Sequence, residues 1–349
     1  MSRRVLIVGV SRLWGAALAK QLEADEDVEE IIAVDHDEPV VQLGRTEFVR
    51  ADIRHSLIGR LIRTFAVDTV VHAGAIIDTR AASRRQVHET NVIGTYNILA
   101  ACGGTDSPVE TLVVKSSAAI YGAAPDAPSL WRESLEPRGA VSGFQRDLLE
   151  METYVSDFAA RKPEAKVAVL RFADVLGTTP DTPFASYLSQ EVVPTVLGFD
   201  PRLQFVHDED VIEALLRAVK QRWHGVINVA GEGAVVLSQA IAMEGGHNVP
   251  LLPFAGISTV APLLRRLGLL PLPEHLLPVL THGRVADTTL LHEKFGFVPK
   301  HTALDCVAQH VEWRRRGGQP AEPFAYDGDL EAFLRGKARA NSDGIRARS

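Results

Sequence analysis

Arg4–Gly15 reads RVLIVGVSRLWG, and the fold is decided there. Arg4 to Val8 is mostly aliphatic, the composition of a parallel strand covered on both faces. Gly9 stands where that strand ends. Trp14 to Gln21 (WGAALAKQ) then reads as a helix with small residues on one face. A strand, a Gly-bearing turn and a helix form the first βα unit of a dinucleotide-binding fold. The cause is electrostatic. Unpaired N–H groups at a helix N-terminus lie at the positive end of its dipole and receive a pyrophosphate, and glycine lets the backbone approach it.

Outward from this unit, strand-like and helix-like stretches alternate through the first half of the chain. That is the pattern of an α/β doubly wound parallel sheet, with a smaller C-terminal lobe after it. Ile31–Val34 (IIAV) is a second strand, closed by Asp35, which lies 20 residues after Gly15. A carboxylate there accepts the ribose hydroxyls of an adenosine and repels a 2′-phosphate, so it favours NAD over NADP. Glu47–Arg50, Asp68–His72 and Leu112–Lys115 read as the next strands. Ser56 reads as the cap of a helix running to Phe65, and Val87–Cys102 as a longer helix. Gly94 inside that helix costs about 1 kcal/mol against Ala, so it marks close packing.

Composition sets limits. At 349 residues and 46% hydrophobic content the chain can hold a nucleotide domain and a smaller lobe. A net charge of −7 argues against a nucleic-acid partner. Two cysteines, Cys102 and Cys306, give no disulfide framework and no Cys-based metal site, and suit a reducing, cytoplasmic setting. The first aliphatic run is too short for a signal peptide, and no uninterrupted run of about 18 apolar residues predicts an integral membrane segment.

Several segments, in order, resemble one family. Asn91, Val92, Gly94, Thr95 and Asn97 match an N-V-x-G-T-x-N pattern, and Ser116–Gly122 (SSAAIYG) matches S-S-x-x-V-Y-G. Val169–Phe172 with Gly177 matches an L-R-x-x-N-V-x-G strand, with Asp174 in place of Asn. Leu203–Asp210 (LQFVHDED) and Asp287–Pro299, where Leu290 replaces a Lys, match two later signatures. By these the chain is identified as a member of the extended short-chain dehydrogenase/reductase family, of the NAD-dependent epimerase/dehydratase type.

The resemblance implies an NAD site. The family's G-x-x-G-x-x-G turn is written here Gly9, Arg12, Gly15, with Leu13 following the middle position. Arg12 either crowds the diphosphate or pairs with a phosphate. Asp52 and Ile53 fall where the family meets the adenine. Ala73, Gly74 and Ala75, after His72, fall beneath the nicotinamide-side ribose, and His72 is assigned no proton transfer. Asn91 is the strand-tethering polar residue. Ser116 neighbours the nicotinamide and Ser117 is the active-site hydroxyl. The acid pair of 4,6-dehydratases is replaced by Ala118 and Ala119.

The family's chemistry rests on Tyr-x-x-x-Lys, commonly with a Glu four residues after the Lys. The phenolate takes a proton while hydride passes to NAD. Here the segment reads Val141–Glu150, VSGFQRDLLE. Anchoring on Glu150 places Ser142 at the Tyr position and Arg146 at the Lys position. Serine is rarely ionised near neutral pH, and arginine does not give up its proton, though Arg146 can still bind the cofactor by hydrogen bonds to its ribose. Tyr121, Tyr154 and Asp147 are the substitute bases within reach in sequence, and none is convincing.

The reading therefore divides residues 1–177 with 203–232 into the nucleotide domain, 178–202 with 233–313 into the substrate lobe, and 314–349 into a partly disordered basic tail with a short helix over Asp329–Arg335. Substrate residues are expected in Thr178–Asp200 and Val235–Arg284, with Arg202 and Arg284 as diphosphate donors by position. Leu251–Leu280 is rich in Leu and Pro, and with Arg265 and Arg266 reads as helices capping the cleft, a membrane-surface patch or a dimer contact. A homodimer through Val87–Cys102 and Ser142–Ala160 is expected. Two functions stand side by side. One is an oxidoreductase or epimerase acting on a nucleotide sugar, and the other is a non-catalytic dinucleotide-binding sensor or scaffold.

Overall fold

The computed structural model describes residues 2–54, 57–80, 82–136, 142–178, 182–251, 262–263, 266–268 and 270–318. Met1–Glu312 forms one compact unit and Trp313–Ser349 a second. The Ser56 cap, Val141, the centre of Leu251–Leu280 with Arg265, and the tail beyond residue 318 with its Asp329–Arg335 helix lie outside the described residues.

The strands of the main sheet are β1 (Arg3–Val8), β2 (Val28–Asp35), β3 (Glu47–Arg50), β4 (Thr69–His72), β5 (Thr111–Ser117), β6 (Lys166–Phe172) and β11 (Gly225–Val229). They run parallel in the order β11-β6-β5-β4-β1-β2-β3. Strand order reverses between β1 and β4, which opens a crevice at their carboxyl ends. Three further pairs lie outside this sheet. They are β7 (Asp174–Val175) with β10 (Phe205–Val206), β9 (Arg202–Leu203) with β12 (Val235–Val236), and β8 (Val192–Val196) with β13 (His247–Leu251).

Each central strand feeds two cores because successive side chains alternate faces. Leu6, Val8, Ile32, Val34, Leu112 and Val114 pack on one side. There they meet α2 (Leu57–Thr64), α4 (Thr95–Cys102) and α5 (Gly143–Arg161) through Ile58, Ile98 and Leu148. Val5, Ile7, Ile31 and Val113 pack on the other side, against Leu18 of α1 (Leu13–Glu23) and Val211 of α6 (Asp208–Gln221). A third core, with Phe184, Leu237, Leu276 and Val307, gives the C-terminal lobe its own interior.

The helix expected over Val87–Cys102 starts earlier, as α3 (Arg84–His88), and continues through a π-type turn at Glu89–Gly94 into α4. Such turns add one residue to the helical ladder and re-aim the side chains inside it. The close packing expected at Gly94 is present, since a Cβ there would stand 2.4 Å from Ile53 Cδ1. No helix among the described residues is long and apolar enough to cross a membrane.

Candidate functional site

The opening turn is built on three glycines. Gly9 has φ +103°, and a Cβ on it would lie 2.3 Å from the Gly74 nitrogen. A Cβ on Gly15 would lie 2.3 Å from the Gly9 carbonyl oxygen. The start of α1, the β1 turn and the segment after β4 therefore interlock through bare backbone, and larger residues do not fit. The Ala73 N–H donates to the Val8 carbonyl at 2.8 Å and holds the same junction. Arg12 occupies the N-cap of α1 without a side-chain cap, and no acid stands in the first turn. Its guanidinium has no hydrogen-bond or ion-pair partner among the described residues.

Asp35 faces this turn. It accepts the Ser11 N–H and the His36 N–H, each at 2.8 Å. Asp52 is held by Arg54 at 2.6 Å, and Arg54 also reaches Glu89. A cavity of about 210 Å³ is lined by Gly9, Ser11, Arg12, Asp35, Asp52 and Ile53. A second, of about 320 Å³, is lined by Ser11, Arg12, Leu13, Trp14, Ala75 and Lys115, and continues past Ser116 and Ser117 to Asp174. Both contain Ser11 and Arg12, so one groove runs from the end of β2, across the turn, to the ends of β5 and β6.

Asn91 sits in the π-type turn and is buried. Its side-chain carbonyl accepts the Ile76 N–H at 2.7 Å and its amide donates to the Ile76 carbonyl at 2.9 Å. This fixes the segment after β4 that floors the groove. His72 Nε2 lies 2.8 Å from Thr95 Oγ1, which donates to the Asn91 carbonyl. Full burial pushes the His72 pKa down to about 4, so the ring is neutral and structural at pH 7.

The far end of the groove is backed by a polar network. Ser117 Oγ accepts the Ala119 N–H at 3.1 Å, and Ser116 Oγ donates to Glu152 at 2.5 Å. Glu152 takes Arg171 of β6 at 2.7 Å, and Arg171 donates to the Tyr121 hydroxyl, which donates to Asn228 at 2.7 Å. Tyr121 also stacks on Trp131, ring centres 5.0 Å apart. Burial raises the Tyr121 pKa above its ordinary value. This tyrosine is locked into the core.

Ser142 caps α5, accepting the Gln145 N–H at 3.1 Å, while Arg146 is exposed between buried Gln145 and Asp147. Asp147 is clasped by Arg84 and His88 of α3. Glu150 bonds Tyr154 on the helix surface at 2.8 Å. The glutamate that reaches the sheet is Glu152, two residues beyond Glu150. Four and eight residues before Glu152 stand Leu148 and Phe144, both buried. Phe144 packs on His275 with ring centres 4.1 Å apart. None of the five tyrosines has a lysine four residues on. Arg284 donates to Asp174 at 2.7 Å, and Arg202 is exposed.

Lys115 had no role in the sequence reading beyond closing a strand. Its side chain is 5% exposed and lines the larger cavity. The ammonium sits 5.9 Å from the Trp14 ring centre and 5.6 Å from that of Phe172. Desolvation, with Arg12 nearby, pushes its pKa down to about 8. The signal in the sequence was a charged residue inside an aliphatic strand that is covered on both faces.

Fold and groove define an α/β protein with a dinucleotide cleft at the switch point of its sheet. The residues fit such a ligand. The turn is closed by glycines, the α1 N-terminus is open, and Asp35 stands at the end of β2 beside the turn. The model of the NAD dependent epimerase/dehydratase family matches residues 5–230. Over 322 residues the chain is 36% identical to an uncharacterized protein of Mycobacterium tuberculosis, covering 90% of this chain and 85% of that one. It is 26% identical over 291 residues to a UDP-glucose 4-epimerase of Azospirillum brasilense, covering 74% and 76%. In fold it resembles MoeE5 in complex with UDP-glucose and NAD, with TM-score 0.66, 23% identity, and coverage of 90% and 100%. It also resembles a UDP-glucose 4-epimerase of Thermotoga maritima with UDP-glucose, with TM-score 0.69, 18% identity and the same coverage. The chain belongs to the NAD dependent epimerase/dehydratase family.

Proposed function

We propose that this protein binds a nicotinamide adenine dinucleotide along the groove and does not use the phenolate–lysine route of hydride-transfer isomerisation. Gly9, Gly15 and the N-terminus of α1 hold the diphosphate, Asp35 takes the adenosine ribose, and Asp52 and Ile53 border the adenine. Ala73–Ala75, tied down by Asn91, floor the second ribose. When bound, the dinucleotide supplies a hydride acceptor or donor. The observation that supports a binding rather than a proton-transferring role is α5. Glu152 is its anchor to the sheet. With Glu152 taken as the family's glutamate, the acid/base positions fall on buried Phe144 and Leu148, and with Glu150 so taken they fall on the capping Ser142 and exposed Arg146.

Turnover of a nucleotide sugar is the second reading. It is favoured by Ser116 and Ser117 lining the cleft and by the UDP-sugar complexes of the structural neighbours. Two experiments separate the readings. Titration of the full-length chain with NAD and NADP is expected to give saturable binding, tighter for NAD, and no binding of either removes both readings. Incubation with UDP-glucose and UDP-galactose in the presence of NAD is expected to give no interconversion. Steady turnover by the unmodified chain would establish the second reading.

A further inference from the structure

We propose that Lys115 makes this cleft select the reduced over the oxidised nicotinamide, holding NADH in preference to NAD+. The inference rests on the dinucleotide reading and goes beyond it. Asp35 fixes the adenosine half at one end of the groove. The nicotinamide half must then cross the α1 N-terminus into the larger cavity, where Lys115 projects from β5 between Trp14 and Phe172.

A buried ammonium without a carboxylate is costly, because the protein does not replace the water it has lost. Lys115 has no hydrogen-bond or ion-pair partner among the described residues. The charged and titratable groups facing it give no compensation. Arg12, from the turn before α1, is a second cation lining the same cavity. Asp78, after β4, is held by Arg80, and Asp174, on β7, is held by Arg284. His275 enters from the C-terminal lobe, and Ser116 and Ser117 adjoin on the same strand. The cavity therefore carries positive charge before any ligand arrives.

The two redox states of the ligand share the same adenosine and the same dianionic diphosphate. They differ in the ring, which carries one positive charge when oxidised and none when reduced. Attraction of the cations to the diphosphate cancels from the comparison, while repulsion between the Lys115 ammonium and the ring acts on NAD+ alone. In a half-closed cavity that repulsion is much stronger than in water. Deprotonation of Lys115 removes it, and the free amine is reached not far above neutral pH. The preference for NADH is thus full below about pH 7 and declines as pH rises through 8.

The test is the ratio of dissociation constants for NAD+ and NADH, measured by calorimetry on the full-length chain at pH 7 and pH 9.5. The expected ratio is at least tenfold in favour of NADH at pH 7, falling several-fold at pH 9.5. Lys115→Met is expected to lower the pH 7 ratio about tenfold and to abolish its pH dependence. Lys115→Arg is expected to keep the preference at both pH values. Binding of both nucleotides with the same ratio in wild type and Lys115→Met overturns this inference and leaves the dinucleotide reading standing. Binding of neither overturns both. Should Lys115→Met fail to fold by circular dichroism, the wild-type pH series decides, and a ratio unchanged between pH 7 and 9.5 overturns the inference.

Discussion

The two ends of the groove preserve different things. At the β1–α1–β2 end, what a dinucleotide needs is backbone. Gly9 and Gly15 leave no room for a Cβ, the first N–H groups of α1 are uncapped, and one carboxylate closes the site. At the β5–α5 end, what the family's chemistry needs is a pair of side chains. There Ser116, Glu152, Arg171, Tyr121 and Asn228 spend their polar groups on one another, and Phe144 and Leu148 of α5 are buried in the protein interior. Changing a backbone cradle disrupts the fold, so the binding end is constrained by packing itself. A catalytic side chain can be exchanged for an apolar one without disturbing the sheet, because buried apolar groups of similar size pack as well.

That contrast is open to attack, beginning with the largest effect. Glu152→Ala leaves Arg171 buried without its counter-ion and is expected to cost about 4 kcal/mol in urea unfolding. A loss below about 1 kcal/mol would mean that the polar network at the reaction end is not structural. Gly9→Ala forces a Cβ onto Gly74 from a left-handed backbone. About 3 kcal/mol of stability should go, together with dinucleotide binding. A variant that is stable and still binds would show that the cradle tolerates side chains.

Acid gives the next effect. His72 is held neutral by burial, its folded pKa near 4 lying below the ordinary 6.5. Its contribution is complete above pH 6.5 and is lost as pH falls from 6.5 to 4, amounting to about 3 kcal/mol. Denaturation curves across that range should slope more steeply for wild type than for His72→Asn. Equal slopes would remove His72 from the account. The smallest change in stability is expected at Asp35. Asp35→Ala should weaken NADH about tenfold, or about 1.4 kcal/mol, and leave the urea midpoint nearly unmoved. Unchanged affinity would place the adenosine elsewhere.

Much of the binding end was legible in the sequence. Gly9, Gly15, Asp35 and Asn91 occupy positions fixed by short spacings from a strand end or within one helix, and local geometry transmits such spacings faithfully. Gly74 was legible only as part of a resemblance, since its contact with Gly9 joins strands that are distant in the chain. At the other end, Glu150 and Glu152 are indistinguishable as letters. Two residues apart on a helix, they point to nearly opposite sides, and only the docking of α5 on β5 and β6 selects Glu152. Tyr121 was an unconvincing base in sequence, and its hydroxyl is spent on Arg171 and Asn228.

By itself the sequence determined the alternation of strand and helix, the phosphate turn and the acid beyond β2. Each follows from the period of the backbone and the sterics of glycine over a few neighbouring residues. Tertiary structure alone decided which face of α5 meets the sheet, and which polar groups remain open to a ligand. It also left the ammonium of Lys115 near two aromatic rings with no carboxylate paired to it among the described residues. Burial and partnership are properties of what the rest of the chain brings to a residue, and neighbouring letters do not carry them.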